Sequence, residues 1–71
     1  HAAIRDEMKL RLEQALNQME EKDRDVLSLR HFEQLSLKET AVVLGLAEKA
    51  AGSRYLRALS KLRKVMNLVD E

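Results

Sequence analysis

The chain has no cysteine, no proline and no tryptophan, only two glycines, and one residue each of phenylalanine and tyrosine. Without cysteine there is no disulfide framework and no thiolate metal site, a composition that fits a reducing, cytoplasmic setting. No run of apolar residues approaches the roughly 20 needed to cross a bilayer as a helix, and no secretory leader is visible. No window alternates apolar and polar residues as strands do, so the expected class is all-α. Apolar residues make up 45% of the chain, too many for a disordered segment.

Motifs of chemistry are missing as well. There is no glycine-rich phosphate loop, no G-x-S-x-G and no H-E-x-x-H. Ser28, Ser36, Ser53 and Ser60 have no base and orienting partner at a useful spacing. His31 has no second ligand at metal spacing. A chain of 71 residues built of helices has little room to enclose a substrate. The expectation is therefore no enzyme, no cofactor, no metal, no small-molecule ligand and no membrane span. The length suits one domain, 1–71. The chain opens on His1 rather than Met, and it is expected to be a piece of a longer protein.

What is present is a strongly uneven charge. The net charge is only +1, yet residues 1–35 carry 6 basic and 8 acidic side chains while residues 36–71 carry 7 basic and 4 acidic. One end is marked as the anion-facing end. Between Lys49 and Lys64 there are six basic residues and no acidic one. A solvated helix face normally mixes signs, and a one-sign face points to a polyanion, although a plain basic surface has the same composition.

Four helices are expected, at about 2–18, 20–32, 36–44 and 47–66, the last two forming a helix-turn-helix over 36–66. Ile4, Met8, Leu12, Ala15, Leu16 and Met19 recur at three- and four-residue steps and mark the first helix. Leu10 lies off that stripe. The break at Met19–Asp23 is signalled only by a change in apolar phase and by clustered acidic residues, which suit a helix start. Val26, Leu27, Leu29 and Phe32 are the apolar residues of the second helix, and Phe32 is expected to anchor the core. Arg30, at the end of that helix, is placed either to reach a phosphate or base edge or to satisfy the helix dipole. Ser36 and Glu39 form a capping box at the start of the third helix. Gly45 supplies the positive φ of the tight turn, and small Ala41 lets the two helices cross closely. A generic helical hairpin would share this turn but would not need the basic face that follows.

On the long helix, Ala51, Tyr55, Ala58, Leu59, Leu62 and Met66 form one stripe at about 100° per residue. Lys49, Ser53, Leu56, Arg57, Ser60 and Lys64 fall on the opposite side, with Arg54 and Lys61 flanking. That is the layout of a helix that lies in a DNA groove. Residues 67–71 are expected to fray.

The run DRDVLSLRHFEQLSLKETAVVLGLAEKAAGSRYLRALSKLRK resembles region 4 of bacterial RNA polymerase sigma factors, in particular the extracytoplasmic-function group. The joint pattern S-x-x-E-x-A-x-x-L-G followed by S-R-x-x-R-A-L-x-x-L-R carries the likeness. The resemblance implies binding of double-stranded promoter DNA at the −35 element, docking on the flap of the core RNA polymerase β subunit, and occlusion by an anti-sigma factor. It also implies that Ser53, Leu56 and Arg57 meet bases or the nearby backbone, that Arg30, Lys49 and Arg54 contact DNA or face phosphate, and that Lys38 faces the backbone. Lys64 joins this set from the helical phase. Leu56, odd on a polar face, then has a reason in apolar contact with thymine methyls or sugars.

The sequence departs from the pattern at Gly52, where a base-reading Lys or Arg is usual, at Ala47 in place of an N-cap Ser, at Ala50-Ala51, and at Gln34 in place of a helix-ending Gly. The run Ala50-Ala51-Gly52 is expected to give a smooth surface that either approaches DNA closely or favours a protein partner. Two rivals share parts of the pattern. One is the output domain of a response regulator. The other is a protein-interaction module that binds polymerase or an inhibitor.

Overall fold

The computed structural model describes the backbone of residues 2–66 and the side chains of residues 5–66. Four helices follow one another: α1 Ala2–Asn17, α2 Glu21–His31, α3 Leu37–Leu44 and α4 Glu48–Val65. The fraying expected of 67–71 and the stripe position Ile4 lie outside the described side chains.

The core is small and built where α1, α2 and α4 meet. Leu16, Met19, Val26, Leu27 and Ala58 are buried, and Leu12, Leu44, Tyr55, Leu59 and Leu62 pack against them. Val26 is fully buried on the inner face of α2, and Ala51 and Ala58 are fully buried along α4. These two alanines sit on the packed side of a helix that meets both α2 and α3, and their small side chains permit close approach.

The connections on either side of α3 have identifiable causes. The capping box at the head of α3 is complete: Glu39 N–H donates to Ser36 Oγ at 3.0 Å and Ser36 N–H donates to Glu39 Oε1 at 2.8 Å. Two orphan donors of the first turn are thereby satisfied. Gly45 ends α3 in the left-handed region at φ 70°. Leu46 N–H reaches back to Ala41 C=O at 2.9 Å and Gly45 N–H to Val42 C=O at 3.2 Å, which is a Schellman closure. Between α2 and α3 the chain turns through Gln34, which holds φ 58° without being glycine.

Phe32 is not a core anchor. It is 57% exposed. The inner face of α2 runs through Asp23, Val26 and Leu27, and at about 100° per residue Phe32 lies roughly 140° round from Leu27. At the other end of α2, in its first turn, the inner face also takes in Asp23, a buried carboxylate. Burial of that charge is offset by Lys61, whose Nζ lies 3.0 Å from Asp23 Oδ2.

Candidate nucleic-acid interface

The layout of α4 decides where the cations point. Ala51 and Ala58 are buried and Tyr55, Leu59 and Leu62 half-buried, whereas Lys49, Ser53, Leu56, Arg57, Ser60 and Lys64 are all exposed. Leu56 is 65% exposed in the middle of that row, an apolar side chain with no packing partner to explain it on the free protein. The row extends from the first turn of α4 to the last, about 22 Å at 1.5 Å per residue. It is long enough to follow a major groove that admits a helix.

The N-terminus of α4 is open. Ala47 occupies the N-cap in an extended conformation and makes no side-chain cap. The first-turn N–H groups therefore have no partner from that cap, and they add a partial positive charge to the same end of the row as Lys49. Glu48, in the first turn, is the one acidic residue there. Lys38 is exposed in the first turn of α3. A cation at a helix N-terminus is disfavoured by the dipole, so its placement has its reason outside the folding of α3.

Two of the basic residues are spent differently. Lys61 is ion-paired to Asp23 and lies 3.9 Å from Glu20 Oε1. The basic run of α4, free of acidic residues in sequence, thus has two carboxylates brought to its flank by the start of α2. Arg54 is half-buried and shares a groove with Glu20, Lys22, Asp23 and Arg57. It stands at the edge of the row, on the side toward α2.

Arg30 is not brought to the row. Its Nη1 donates to Leu35 C=O at 2.6 Å, and its guanidinium lies 5.2 Å from the centroid of the Tyr55 ring. Tyr55 is two residues after Ser53, about 200° round the helix, so Arg30 is held on the far side of α4. His31 Nε2 and Tyr55 Oη are hydrogen-bonded at 2.9 Å. The end of α2 is thus tied to α4 through one tyrosine, with Arg30 tied to the loop as well. Of the two roles open to Arg30, the one visible in these contacts is structural. The pattern of residue types does not reveal it, because it depends on Tyr55 being turned inward beneath the end of α2.

Gly52 also has a reason other than the one its position in the pattern suggests. A Cβ there would meet Leu37 Cδ2 at 3.3 Å, so α3 and α4 approach each other at this point. Ala51 is fully buried. The smooth outward surface expected of Ala50-Ala51-Gly52 is therefore not formed, and only Ala50 of the three is exposed. Among the described residues no group of three or more His, Asp or Glu is placed to hold a metal, and no helix is long and apolar enough to cross a membrane.

A second concave surface lies on the opposite side of the fold. Leu12, Leu16, Leu27, Phe32, Leu59 and Leu62, with His31, line a groove of about 230 Å³ between α1, α2 and α4. Phe32, turned out of the core, forms its rim.

Comparison with known proteins gives a consistent result. The family description Sigma-70, region 4 matches residues 9–62. The RNA polymerase sigma-E factor of Streptomyces antibioticus is 39% identical over 56 residues, which are 79% of this chain and 31% of that protein. The RNA polymerase sigma-E factor of Streptomyces avermitilis is 43% identical over 49 residues, 69% of this chain and 27% of that protein. That of Streptomyces coelicolor is 46% identical over 43 residues, 61% of this chain and 24% of that protein. The chain thus spans about a quarter to a third of the length of these relatives. No solved structure matches it.

Proposed function

The chain belongs to the Sigma-70 region 4 family, and from that premise we propose that it binds double-stranded promoter DNA at the −35 element, as part of an alternative RNA polymerase sigma factor of the extracytoplasmic-function group that directs transcription initiation. The observation that carries this reading is the exposed row Lys49, Ser53, Leu56, Arg57 and Lys64 on one side of a helix whose other side is buried.

The mechanism is positioning followed by reading. Lys49 and Lys64, near the two ends of α4, take phosphates of the groove walls, and the open N-terminus of α4 with Lys38 takes a further phosphate. Arg54 holds backbone at the edge of the row. These contacts fix register and carry no sequence information. Ser53, Leu56 and Arg57 sit at the centre and read base edges: Arg57 through its donor fork toward guanine, Leu56 through thymine methyls. Arg30 braces the loop before α3 rather than touching DNA.

The apolar groove rimmed by Phe32 supports a second contact. We assign it to core RNA polymerase, at the β-subunit flap, because it is nearly devoid of charge and lies away from the cationic row. An anti-sigma factor would act by covering either surface.

The test is a titration of a labelled promoter-like duplex at several salt concentrations. Arg57→Ala is expected to weaken binding and to lower the slope of log K against log salt by about 0.9 if Arg57 neutralises one phosphate, with less change if it reads a base. Thermal unfolding should be unchanged, since Arg57 is exposed. A loss of stability without a loss of binding would refute the assignment. Phe32→Ala should leave duplex binding intact and weaken capture of a flap fragment.

A further inference from the structure

A third surface is used by neither contact. Between α2 and α3 lies a groove of about 440 Å³ whose floor is Leu29, Leu35, Val43 and Leu44 and whose edge carries Asp25 and Glu33. No residue of α4 lines it, so its occupancy does not compete with the row that meets DNA.

Three features of this groove have no explanation in the free chain. Val43, which lines the groove, is 60% exposed, and its neighbour Val42, which does not line it, is 77% exposed, two adjacent β-branched residues in a helix of only eight residues. They have lower helix propensity than the residues usual at an exposed helical position and gain no burial in return. Beside them the apolar floor is continuous rather than scattered, the form of exposure that marks an interaction surface. Glu33 stands just past the C-terminal end of α2, where the dipole disfavours a carboxylate. Asp25 and Glu33 are both exposed, and among the described residues neither has an ion-pair partner; the contacts within 4.0 Å all belong to Lys61.

We propose that this groove is a docking site for a partner protein's amphipathic helix, with an apolar stripe that covers Leu29, Leu35 and Val43 and Lys or Arg on its flank to meet Asp25 and Glu33. Charge selects the occupant. Two unpaired carboxylates repel phosphate, which rules against nucleic acid, and they complement a basic helix. Asp25 and Glu33 are eight residues apart along α2 and its exit, roughly 12 Å at 1.5 Å per residue, so two cations about two turns apart on the partner would meet both. The apolar contact supplies affinity and the paired charges fix orientation, the division of labour of helix-in-groove recognition. The partner binds beside the DNA-facing helix without displacing it, so both can be held at once.

The experiment titrates a designed alanine-based helical peptide into the isotope-labelled chain and follows backbone amide shifts. The peptide has leucines at three- and four-residue steps and two lysines eight apart on one flank. A matched peptide carries glutamates in place of the lysines. The expected result is that amides of Ser28, Leu29, Leu35, Val43 and Leu44 shift with the lysine peptide, that it binds roughly tenfold more tightly than the glutamate peptide, and that the preference inverts in the Asp25→Lys, Glu33→Lys double variant. Val43→Asp, at an exposed site, should abolish binding of the lysine peptide while leaving the helical content intact. Prior addition of promoter-like duplex should not block the peptide. Equal affinity for both peptides would overturn the proposal. So would shifts centred on Phe32 and Leu59, concentration-dependent shifts of the groove without peptide, which would mark a second copy as its occupant, or displacement of the peptide by duplex.

Discussion

Lys61 Nζ stands 3.0 Å from Asp23 Oδ2, joining the fourth turn of α4 to the first turn of α2 across 38 positions of sequence. The pair is unequal. The side chain of Asp23 is 11% exposed and that of Lys61 54% exposed. Removing the lysine leaves a carboxylate largely out of water without its ion-pair partner, with Lys22, Arg54 and Arg57 no nearer than the walls of the same groove, and removing the carboxylate leaves a lysine that solvent can serve.

The first prediction follows from that inequality. Lys61→Met is expected to destabilise the fold by about 1 kcal/mol, a figure kept small because half of the pair faces solvent. Asp23→Asn should be milder in stability, and by freeing Lys61 it should steepen the salt dependence of duplex binding. Lys64→Ala should do the reverse of Lys61→Met, reducing the salt slope with no change in unfolding. If chemical denaturation and duplex titration rank the two lysines alike, the division between a structural and a DNA-facing cation fails.

The same contact marks the limit of what was legible in residue order. Period and capping place the four helices, because Ser36, Glu39 and Gly45 act within a few residues of themselves, and those local preferences were not overridden. The outward face of α4 was legible for the same reason: helical phase fixes it once Tyr55, Leu59 and Leu62 are inward. Asp23, Arg30 and Phe32 were not. Their environments depend on which face of α2 turns toward α4, and an apolar pattern with a buried aspartate in it points to the wrong edge. Phe32 looked like core because it is large and apolar, yet its phase on α2 places it at the rim of a groove. Gly52 departs from the family pattern in sequence, and the structure adds that a Cβ there would press on Leu37 Cδ2 at 3.3 Å, a contact that residue order does not show.

Gln34 and Gly45 form the second prediction as an opposed pair. Both hold positive φ, 58° and 70°. A side chain in that region costs about 1 kcal/mol or more. Gln34→Gly should therefore raise stability, by less than that amount because glycine also loosens the unfolded chain. Gly45→Ala should lower stability by roughly 1 kcal/mol, and the cause is backbone strain alone, since a Cβ at Gly45 meets nothing within 4 Å. Melting temperatures of the two variants should move in opposite directions. Movement in the same direction would show that the loop before α3 is held by something other than this conformation.

Thr40 gives the third. It is fully buried, and its Oγ1 has no hydrogen-bond partner. An unmade hydrogen bond at a buried hydroxyl is a standing cost of about 1 to 3 kcal/mol. Thr40→Val keeps the branched shape and removes the polar atom, so the variant should be more stable by about 1 kcal/mol, with no change in duplex affinity. A destabilised valine variant would mean that the hydroxyl is satisfied in solution, for instance by a trapped water.

Glu39 carries the prediction in pH. The backbone N–H and the hydroxyl of Ser36 hold its carboxyl below the usual value of 4.5, because both stabilise the charged form. A group with a lowered folded-state pKa contributes stability above its unfolded value and loses it as pH falls through the folded one. The contribution is thus fully present at pH 7 and fades below about 4.5. Glu39→Gln retains an acceptor for the capping box but cannot titrate. At neutral pH the natural chain should be the more stable of the two, and the gap should close as acid is added, because only the natural chain binds the extra proton. Urea midpoints of both proteins between pH 7 and pH 3 check this. A gap that stays constant across that range would mean that the charge of Glu39 contributes nothing to holding the start of α3, and that the box works through its neutral hydrogen bonds alone.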